Sequence, residues 1–252
     1  MTGPHEGRIA VVTGAGRGIG REYAAALAAD GATVVVADLD EGLADETVKL
    51  ITADGGRAVA RRVDVGDPRS AADLGTWLRG EFGAAHILVN NAAIYHSMRN
   101  DTQMDVDIDY WRRVFAVNLD GALLVTQAVA PLMAEAGWGR IVNQASTGAY
   151  SGLGGAYCVS KLAIIGLTQG FARELGPHGI TVNAIAPGLI YTEATMVTVP
   201  PESRAALTAA QAVKKEGQPA DLVAALRFFC GEDSGWVSGQ VTVVDGFKTL
   251  RI

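Results

Sequence analysis

The glycine-rich segment 13–20, Thr-Gly-Ala-Gly-Arg-Gly-Ile-Gly, constrains the fold of this chain more than any other feature. It follows a β-branched run, Ile9–Thr13, and precedes an alanine-rich helical pattern that continues to about Asp30 and stops at Gly31. Glycines permit a tight turn and close backbone approach, and the free N–H groups of a helix N-terminus attract phosphate. The spacing that fits is T-G-x-x-x-G-x-G, which predicts a pyrophosphate-binding turn after the first strand.

The rest of the chain repeats this alternation of short apolar runs and longer helical patterns. Further strands are predicted at Thr33–Ala37, Arg57–Val63, His86–Val89, Arg140–Asn143, Ile180–Ile185 and Gln240–Val244. Helices are predicted at Leu43–Ala53, Pro68–Phe82, Tyr110–Ala136 with a kink at Pro131, Gly155–Leu175 and Ala220–Cys230. We therefore expect an α/β fold: one Rossmann-like domain over residues 1–252, with a doubly wound, parallel, seven-stranded sheet and helices on both faces.

One stretch, at about 189–218, does not follow the alternation. It contains Pro200-Pro201, small polar residues and short helical patterns. A long insertion between a strand and the last helix is often functional, so we interpret it as a lid over a substrate.

Composition narrows the function classes. The 252 residues are 49% hydrophobic, with a net charge of −6, which disfavours nucleic acid and anionic membranes as partners. The two cysteines and four histidines show no disulfide framework or metal-ligand spacing, so no metal is expected. The N-terminus lacks a signal-peptide pattern, and the apolar stretches read as strand-sized, short of the roughly 20 residues of a membrane span. We expect a cytoplasmic protein.

Several motifs occur in a fixed order along the chain: the glycine turn, Asn90-Asn91-Ala92-Ala93, Val117-Asn118-Leu119, Ser146, Tyr157-x-x-x-Lys161, and Pro187-Gly188 followed by Thr192. In this order the sequence resembles the short-chain dehydrogenase/reductase family in its compact form of about 250 residues. The resemblance implies an NAD(P)-dependent oxidoreductase that moves a hydride between nicotinamide and a ketone or secondary alcohol. It also implies a homotetramer, with a dimer as the alternative.

Tyr157 and Lys161 are the predicted acid/base pair. Residues four apart share one helix face, and an ammonium beside a phenol is expected to lower the phenol pKa from its usual value near 10. Ser146 would orient the substrate oxygen, with Thr147 and Ser151 as alternatives. By resemblance, Asn118 would hold a water that connects Lys161 to solvent, although it could instead satisfy a local backbone kink.

Asp38, at the end of the second strand, is predicted to accept hydrogen bonds from the adenosine ribose and to repel a 2′-phosphate, which favours NAD. A helix-capping or turn role is the alternative for this aspartate, and the nearby Arg17 leaves NADP open. The residues that the resemblance assigns to the cofactor are Gly14, Arg17, Gly18, Ile19, Gly20, Asp38, Asp64, Val65, Asn90, Ala92, Tyr157, Lys161, Pro187, Gly188, Ile190 and Thr192.

The predicted substrate pocket is mostly apolar or aromatic, which favours a neutral, hydrophobic substrate. Its candidate residues are Ile94, Tyr95, His96, Thr147, Tyr150, Leu153, Tyr191, Met196 and Val197. Each could equally be ordinary packing. A 3-oxoacyl thioester reductase, a non-catalytic dinucleotide sensor and a nucleotide-sugar epimerase relative remain the alternative functions.

Overall fold

A computed structural model describes residues 3–95, 98–99, 102–152 and 154–250. The chain forms a seven-stranded sheet of order β3-β2-β1-β4-β5-β6-β7, in which every neighbouring pair is parallel. The strands are β1 (Ile9–Thr13), β2 (Thr33–Asp38), β3 (Arg57–Arg62), β4 (Ile87–Asn90), β5 (Gly139–Gln144), β6 (Ile180–Pro187) and β7 (Val241–Val244). The predicted doubly wound fold is confirmed.

Helices cover both faces of this sheet. They are α1 (Gly18–Ala29), α2 (Glu41–Ala53), α3 (Pro68–Phe82), α4 (Ile108–Phe115), α5 (Gly121–Ala136), α6 (Gly155–Leu175), α7 (Glu193–Thr198), α8 (Pro201–Ala209) and α9 (Val223–Cys230). Alternation along β1 separates the two cores: Ala10 and Val12 pack toward α1 and α9, and Val11 packs toward α3, α5 and α6.

The order of the strands determines where a ligand can bind. β1 is paired with β2 on one side and β4 on the other, so the chain reverses its direction of winding at β1. A crevice opens at such a switch point, outside the carboxyl ends of the strands. The turns that follow β1, β4 and β5 all face this crevice.

The predicted long helix is divided by a π-helical segment, Ala116–Asp120, between α4 and α5. The irregularity lies at Asn118, whereas α5 continues through Pro131. Within the combined helical run Ile108–Ala136, an 18-residue window has a mean hydropathy of 1.4, and the run is long enough to cross a membrane, so the expectation that every apolar stretch is strand-sized does not hold. Core helices pass the same test, and this run packs Val125 and Val129 into the core beneath the sheet.

The predicted lid segment contains two short helices, α7 and α8. Its two ends are joined, because Ile190 forms a parallel bridge with Gly217 and the Tyr191 N–H donates to the Gly217 carbonyl at 2.8 Å. The segment is therefore a long connection that begins and ends close together at the carboxyl end of β6, beside the crevice.

Candidate active site

A cavity of about 1110 Å³ occupies the crevice at the carboxyl ends of the strands. With the exception of Asn90, all residues assigned to the cofactor by resemblance line it, and so do Ser146, Ile94 and Tyr95. The lining extends from Asp38, which ends β2, and Asp64, which follows β3, to Ser146, which follows β5. Its length and position suit an extended dinucleotide.

The glycine turn after β1 is held against the turn after β4. Gly14 has a φ of +62°, and a Cβ there would lie 2.8 Å from the Ala92 Cα. A Cβ on Gly20 would lie 2.2 Å from the Gly14 carbonyl oxygen. The Asn91 side chain fixes the turn, since its Nδ2 donates to the carbonyls of Thr13 and Gly14, both at 3.0 Å. This cradle leaves room for phosphate where side chains would otherwise stand, and it fits the pyrophosphate of a dinucleotide.

Asp38 is oriented by the backbone of the two neighbouring turns. Its Oδ2 accepts from the Gly16 N–H at 2.8 Å, and its Oδ1 accepts from the Asp40 N–H at 3.0 Å. The motif spacing assigned no role to Gly16, yet a Cβ there would lie 2.7 Å from the Leu43 Cβ and 2.9 Å from the Asp38 carboxylate. Gly16 is therefore needed to seat Asp38 at the cavity wall.

The predicted catalytic residues meet at the other end of the cavity. Tyr157 and Lys161 lie on one face of α6, and the Lys161 Nζ is 5.8 Å from the centroid of the Tyr157 ring. The buried Nζ donates to the Gln144 carbonyl at 2.7 Å, which fixes its position. Ser146 begins the turn after β5, where its Oγ accepts from the Gly148 N–H at 3.1 Å. The Tyr95 ring packs against Tyr157 with centroids 5.3 Å apart.

Burial controls the ionisation of both groups. It raises the pKa of the Tyr157 phenol well above its usual range, Tyr95 adds to the rise, and a hydrogen bond with Ser146 opposes it. Burial also lowers the pKa of Lys161 to about 8. The net shift of the Tyr157 pKa is therefore opposite to the one expected from Lys161 alone, since removal of the phenol from water is the largest influence on it. The site thus places a phenol of raised pKa beside an amine whose pKa is lowered to about 8.

Asn118 is buried within the π-helical segment and does not line the cavity. Its Oδ1 accepts from the Ile94 N–H at 2.7 Å, and its Nδ2 donates to the Ser160 Oγ at 3.2 Å. Ser160 in turn donates to the Tyr157 carbonyl at 2.7 Å. Asn118 thus connects the turn after β4 to α6, and the local backbone irregularity that we considered for it is present.

Comparison with known proteins identifies the family. A family model described as enoyl-(acyl carrier protein) reductase matches residues 14–246. An uncharacterized oxidoreductase of Mycobacterium tuberculosis is 47% identical over 248 residues, covering 98% of this chain and 99% of that protein. The chain belongs to the short-chain dehydrogenase/reductase family. It is an oxidoreductase of that family.

Two solved structures of this family were described with nicotinamide cofactors. A 7α-hydroxysteroid dehydrogenase complexed with NADH and 7-oxo glycochenodeoxycholic acid is 34% identical, with a TM-score of 0.91, and covers 96% of this chain and 94% of its own. A structure from Beutenbergia cavernae with NADP bound at low occupancy is 36% identical, with a TM-score of 0.90, and covers 98% of this chain and 99% of its own. The neighbours therefore include both cofactor types.

One of the family-derived assignments, Asn90, falls one residue away from the cavity. The Asn90 side chain lies in a buried polar network, where its Nδ2 donates to Thr126 Oγ1 at 3.0 Å and Asn143 Oδ1 at 2.9 Å. Asn91 occupies the cavity wall instead. Because adjacent residues of an extended chain point to opposite sides, the pair of asparagines divides into a core residue and a site residue.

Several of the predicted substrate residues do not line the large cavity. Tyr191 and Met196 line a separate cavity of about 450 Å³ between α7 and α8, whereas Ile190, Thr192 and Thr195 face the large cavity. Val197 is 70% exposed. Thr147 and Tyr150 lie in the short 3₁₀ turn after Ser146 and do not line the large cavity. His96 and Leu153 lie outside the described residues.

Proposed function

We propose that this short-chain dehydrogenase/reductase is an NAD-dependent alcohol dehydrogenase or ketone reductase that acts on a neutral, hydrophobic secondary alcohol or ketone. The observation that carries the proposal is the convergence of Ser146, Tyr157 and Lys161 at one end of a cavity whose other end holds Asp38. Such a cavity can place a nicotinamide beside an acid/base group while the adenosine is held elsewhere.

In the reaction that we propose, Ser146 donates a hydrogen bond to the substrate oxygen and orients it toward Tyr157. In reduction the phenol, kept protonated by burial, gives its proton to the carbonyl oxygen. Lys161, with a pKa of about 8, replaces that proton near neutral pH. In oxidation the phenol first passes its proton to the neutral Lys161 amine, and the phenolate then takes the proton of the alcohol. A bound nicotinamide would supply the hydride donor or acceptor.

The preference for NAD rests on the charge of the adenosine end. Asp38, Asp40, Glu41 and Asp64 all line this part of the cavity, and Leu39 provides no cation there. A 2′-phosphate would carry its negative charge into this group of carboxylates, whereas ribose hydroxyls can donate to Asp38. Arg17 lines the same end and is the residue that would favour NADP.

The proposed substrate class rests on the walls around Tyr157. Ile94, Tyr95, Ala194 and Thr195 line the cavity there and offer apolar and aromatic surface. Such walls favour burial of an uncharged carbon skeleton over a charged one. The neighbouring 7α-hydroxysteroid dehydrogenase, which was solved with 7-oxo glycochenodeoxycholic acid, supports a substrate with a large carbon skeleton.

The direct test is a panel of ketones and secondary alcohols, including hydroxysteroids, sugar acids and an acyl-CoA thioester. Each is assayed with NAD(H) and NADP(H) at the nicotinamide absorbance. We expect turnover with hydrophobic substrates and a higher kcat/KM with NAD. Turnover confined to the thioester would support the 3-oxoacyl reductase instead, and cofactor binding without any turnover would support a sensor.

Assembly and location are part of the same proposal. The exposed side chains of Phe228, Trp236 and Phe247, together with β7 at the edge of the sheet, offer apolar surface that a second copy could cover. We propose a cytoplasmic homotetramer. Light scattering of the purified protein should give the mass of four chains, and a monomeric mass would contradict this assembly.

A further inference from the structure

Gln144 occupies a position at the catalytic end that the proposed mechanism does not use. It is the last residue of β5, two residues before Ser146, and its backbone carbonyl accepts from the Lys161 Nζ. Its side chain is a buried amide that lines the large cavity. A polar side chain buried in such a place needs hydrogen-bond partners for both ends of its amide.

One end of this amide is fixed from the opposite side of the molecule. The Tyr23 hydroxyl on α1 donates to the Gln144 Oε1 at 3.0 Å, across 121 residues of sequence. Tyr23 is fully buried, and burial raises the pKa of its phenol well above the usual range, so the hydroxyl keeps its proton. The Gln144 amide is therefore held in one orientation.

The other end is open. Within the described part of the chain, the Gln144 Nε2 has no hydrogen-bond partner, and it is not among the fully enclosed polar atoms that lack one. The open space beside it is the cavity. The Gln144 amide thus offers two unpaired N–H groups at a cavity wall that it shares with Ser146 and Lys161.

We propose that Gln144 is a cofactor-contacting residue whose Nε2 donates to the nicotinamide half of the dinucleotide, and that Tyr23 is a positioning residue that holds the amide for this contact. The inference rests on the proposed function, because it requires a dinucleotide in this cavity. A donor fixed before binding loses little conformational freedom when it meets its acceptor. Gln144 would then hold the nicotinamide from the β5 side, next to the groups that handle the proton.

The test compares a ligand that has a nicotinamide with one that lacks it. Dissociation constants for NADH, by nicotinamide fluorescence, and for ADP-ribose, by calorimetry, are measured for the wild type, Gln144→Leu and Tyr23→Phe. Loss of one well-placed hydrogen bond should weaken NADH about tenfold in Gln144→Leu. The dissociation constant of ADP-ribose should stay within about twofold of the wild-type value, since that ligand lacks the nicotinamide that Gln144 would contact. Tyr23→Phe should weaken NADH by a smaller factor.

The double variant separates positioning from general support. Because Tyr23 acts through Gln144, Tyr23→Phe should have no further effect on NADH binding in the Gln144→Leu background. Tyr110→Phe is the matched control: it removes the hydroxyl of another buried tyrosine, which accepts from the Arg99 N–H at 3.0 Å, and should change neither constant. Gln144→Glu retains an oxygen for Tyr23 and loses the N–H donors, so it should also weaken NADH.

Three results would overturn the inference. These are unchanged NADH binding in both Gln144 variants, equal weakening of NADH and ADP-ribose, and additive effects in the double variant. Failure of the proposed function looks different, because the wild type would then bind neither NADH nor ADP-ribose. Thermal unfolding of each variant confirms that the binding constants refer to folded protein.

Discussion

The strands β1, β4 and β5 carry polar side chains at both ends, and the two ends use them differently. Before β5, the Trp138 ring has the Arg8 and Arg140 guanidinium carbons 3.6 Å and 4.4 Å from its centroid. The Trp138 indole N–H donates to Glu232 at 3.1 Å, and Glu232 also pairs with Arg8. Before β4, the His86 Nδ1 accepts from the Ile9 N–H at 3.1 Å. At the amino ends, these polar side chains therefore bind to other groups of the protein itself.

At the carboxyl ends the same strands leave their groups facing a cavity. The glycine turn after β1 excludes side chains, Asn91 after β4 braces that turn, and β5 delivers Gln144 and Ser146 to the cavity wall. The two ends of this parallel sheet therefore differ in role: side chains at the amino ends stabilise the fold, and those at the carboxyl ends line the ligand site. Substitutions at the two ends should therefore affect different measurements.

The largest expected effect is at the carboxyl end. Tyr157→Phe removes the proposed acid/base hydroxyl and should lower kcat by about 10²-fold to 10⁴-fold. NADH binding and the urea midpoint should change little, because the ring remains packed against Tyr95. The measurement is turnover at the nicotinamide absorbance together with urea unfolding. A variant with wild-type kcat would show that the acid/base group has been misassigned.

The amino end should respond in stability. Trp138→Ala removes a half-buried ring that contacts two guanidinium groups, and should lower the free energy of unfolding by about 2–3 kcal/mol. Dissociation constants for NADH should stay within about twofold of the wild type, since the sheet separates Trp138 from the cavity. Urea unfolding and cofactor titration test both statements. Weakened cofactor binding at unchanged stability would contradict the division of the sheet into two ends.

Asp38 tests the adenosine end. Asp38→Asn removes the negative charge and should weaken NAD binding about tenfold. It should also raise kcat/KM with NADP relative to kcat/KM with NAD. Asp45→Asn, on the exposed surface of α2, removes the same charge away from the cavity and serves as the control. A ratio that stays constant in Asp38→Asn would mean that Asp38 does not select the cofactor.

The smallest expected effect is the pH dependence of the amino end. Burial, followed by the charge of Arg8, lowers the pKa of His86 below its usual 6.5. The unfolded chain therefore takes up this proton at a higher pH than the folded chain, so stability is fully present above about pH 6.5 and falls below it. Urea midpoints at pH 7.5 and 5.5 should differ less in His86→Asn, which keeps an acceptor oxygen for Ile9, than in the wild type. Burial also lowers the pKa of His5, so part of the loss of stability at low pH should remain in His86→Asn.

Much of this architecture follows from local sequence patterns. The predicted strands agree with the observed ones, and so do the predicted helices except for the long one that a π-helical segment divides. The large cavity gathers the glycine turn, Asp38, Ser146, Tyr157 and Lys161. These features depend on short-range periodicity and on turn chemistry, which neighbouring residues specify. The segment 189–218 lies beside the cavity and its role as a lid stays a prediction, while its helices α7 and α8 were recognised only as short helical patterns.

The errors share a physical cause. Asn90 and Asn91 differ in function because one step along an extended chain reverses the side of the sheet that a side chain faces. The same reversal sends Tyr191 into the smaller cavity while Ile190 and Thr192 face the larger one. The pKa of Tyr157 depends on how completely the fold removes it from water, which the spacing to Lys161 does not specify.

The amino-acid sequence alone determined the order of the elements, the glycine turn after β1 and the placement of Tyr157 and Lys161 on one helix face, because each depends on residues close together in the chain. Only the tertiary structure decided which member of each adjacent pair faces the cavity, and how strongly burial shifts the ionisation of Tyr157 and Lys161. It alone brought Tyr23 to Gln144, since a contact across 121 residues depends on how α1 packs against β5 and leaves no local pattern in the sequence.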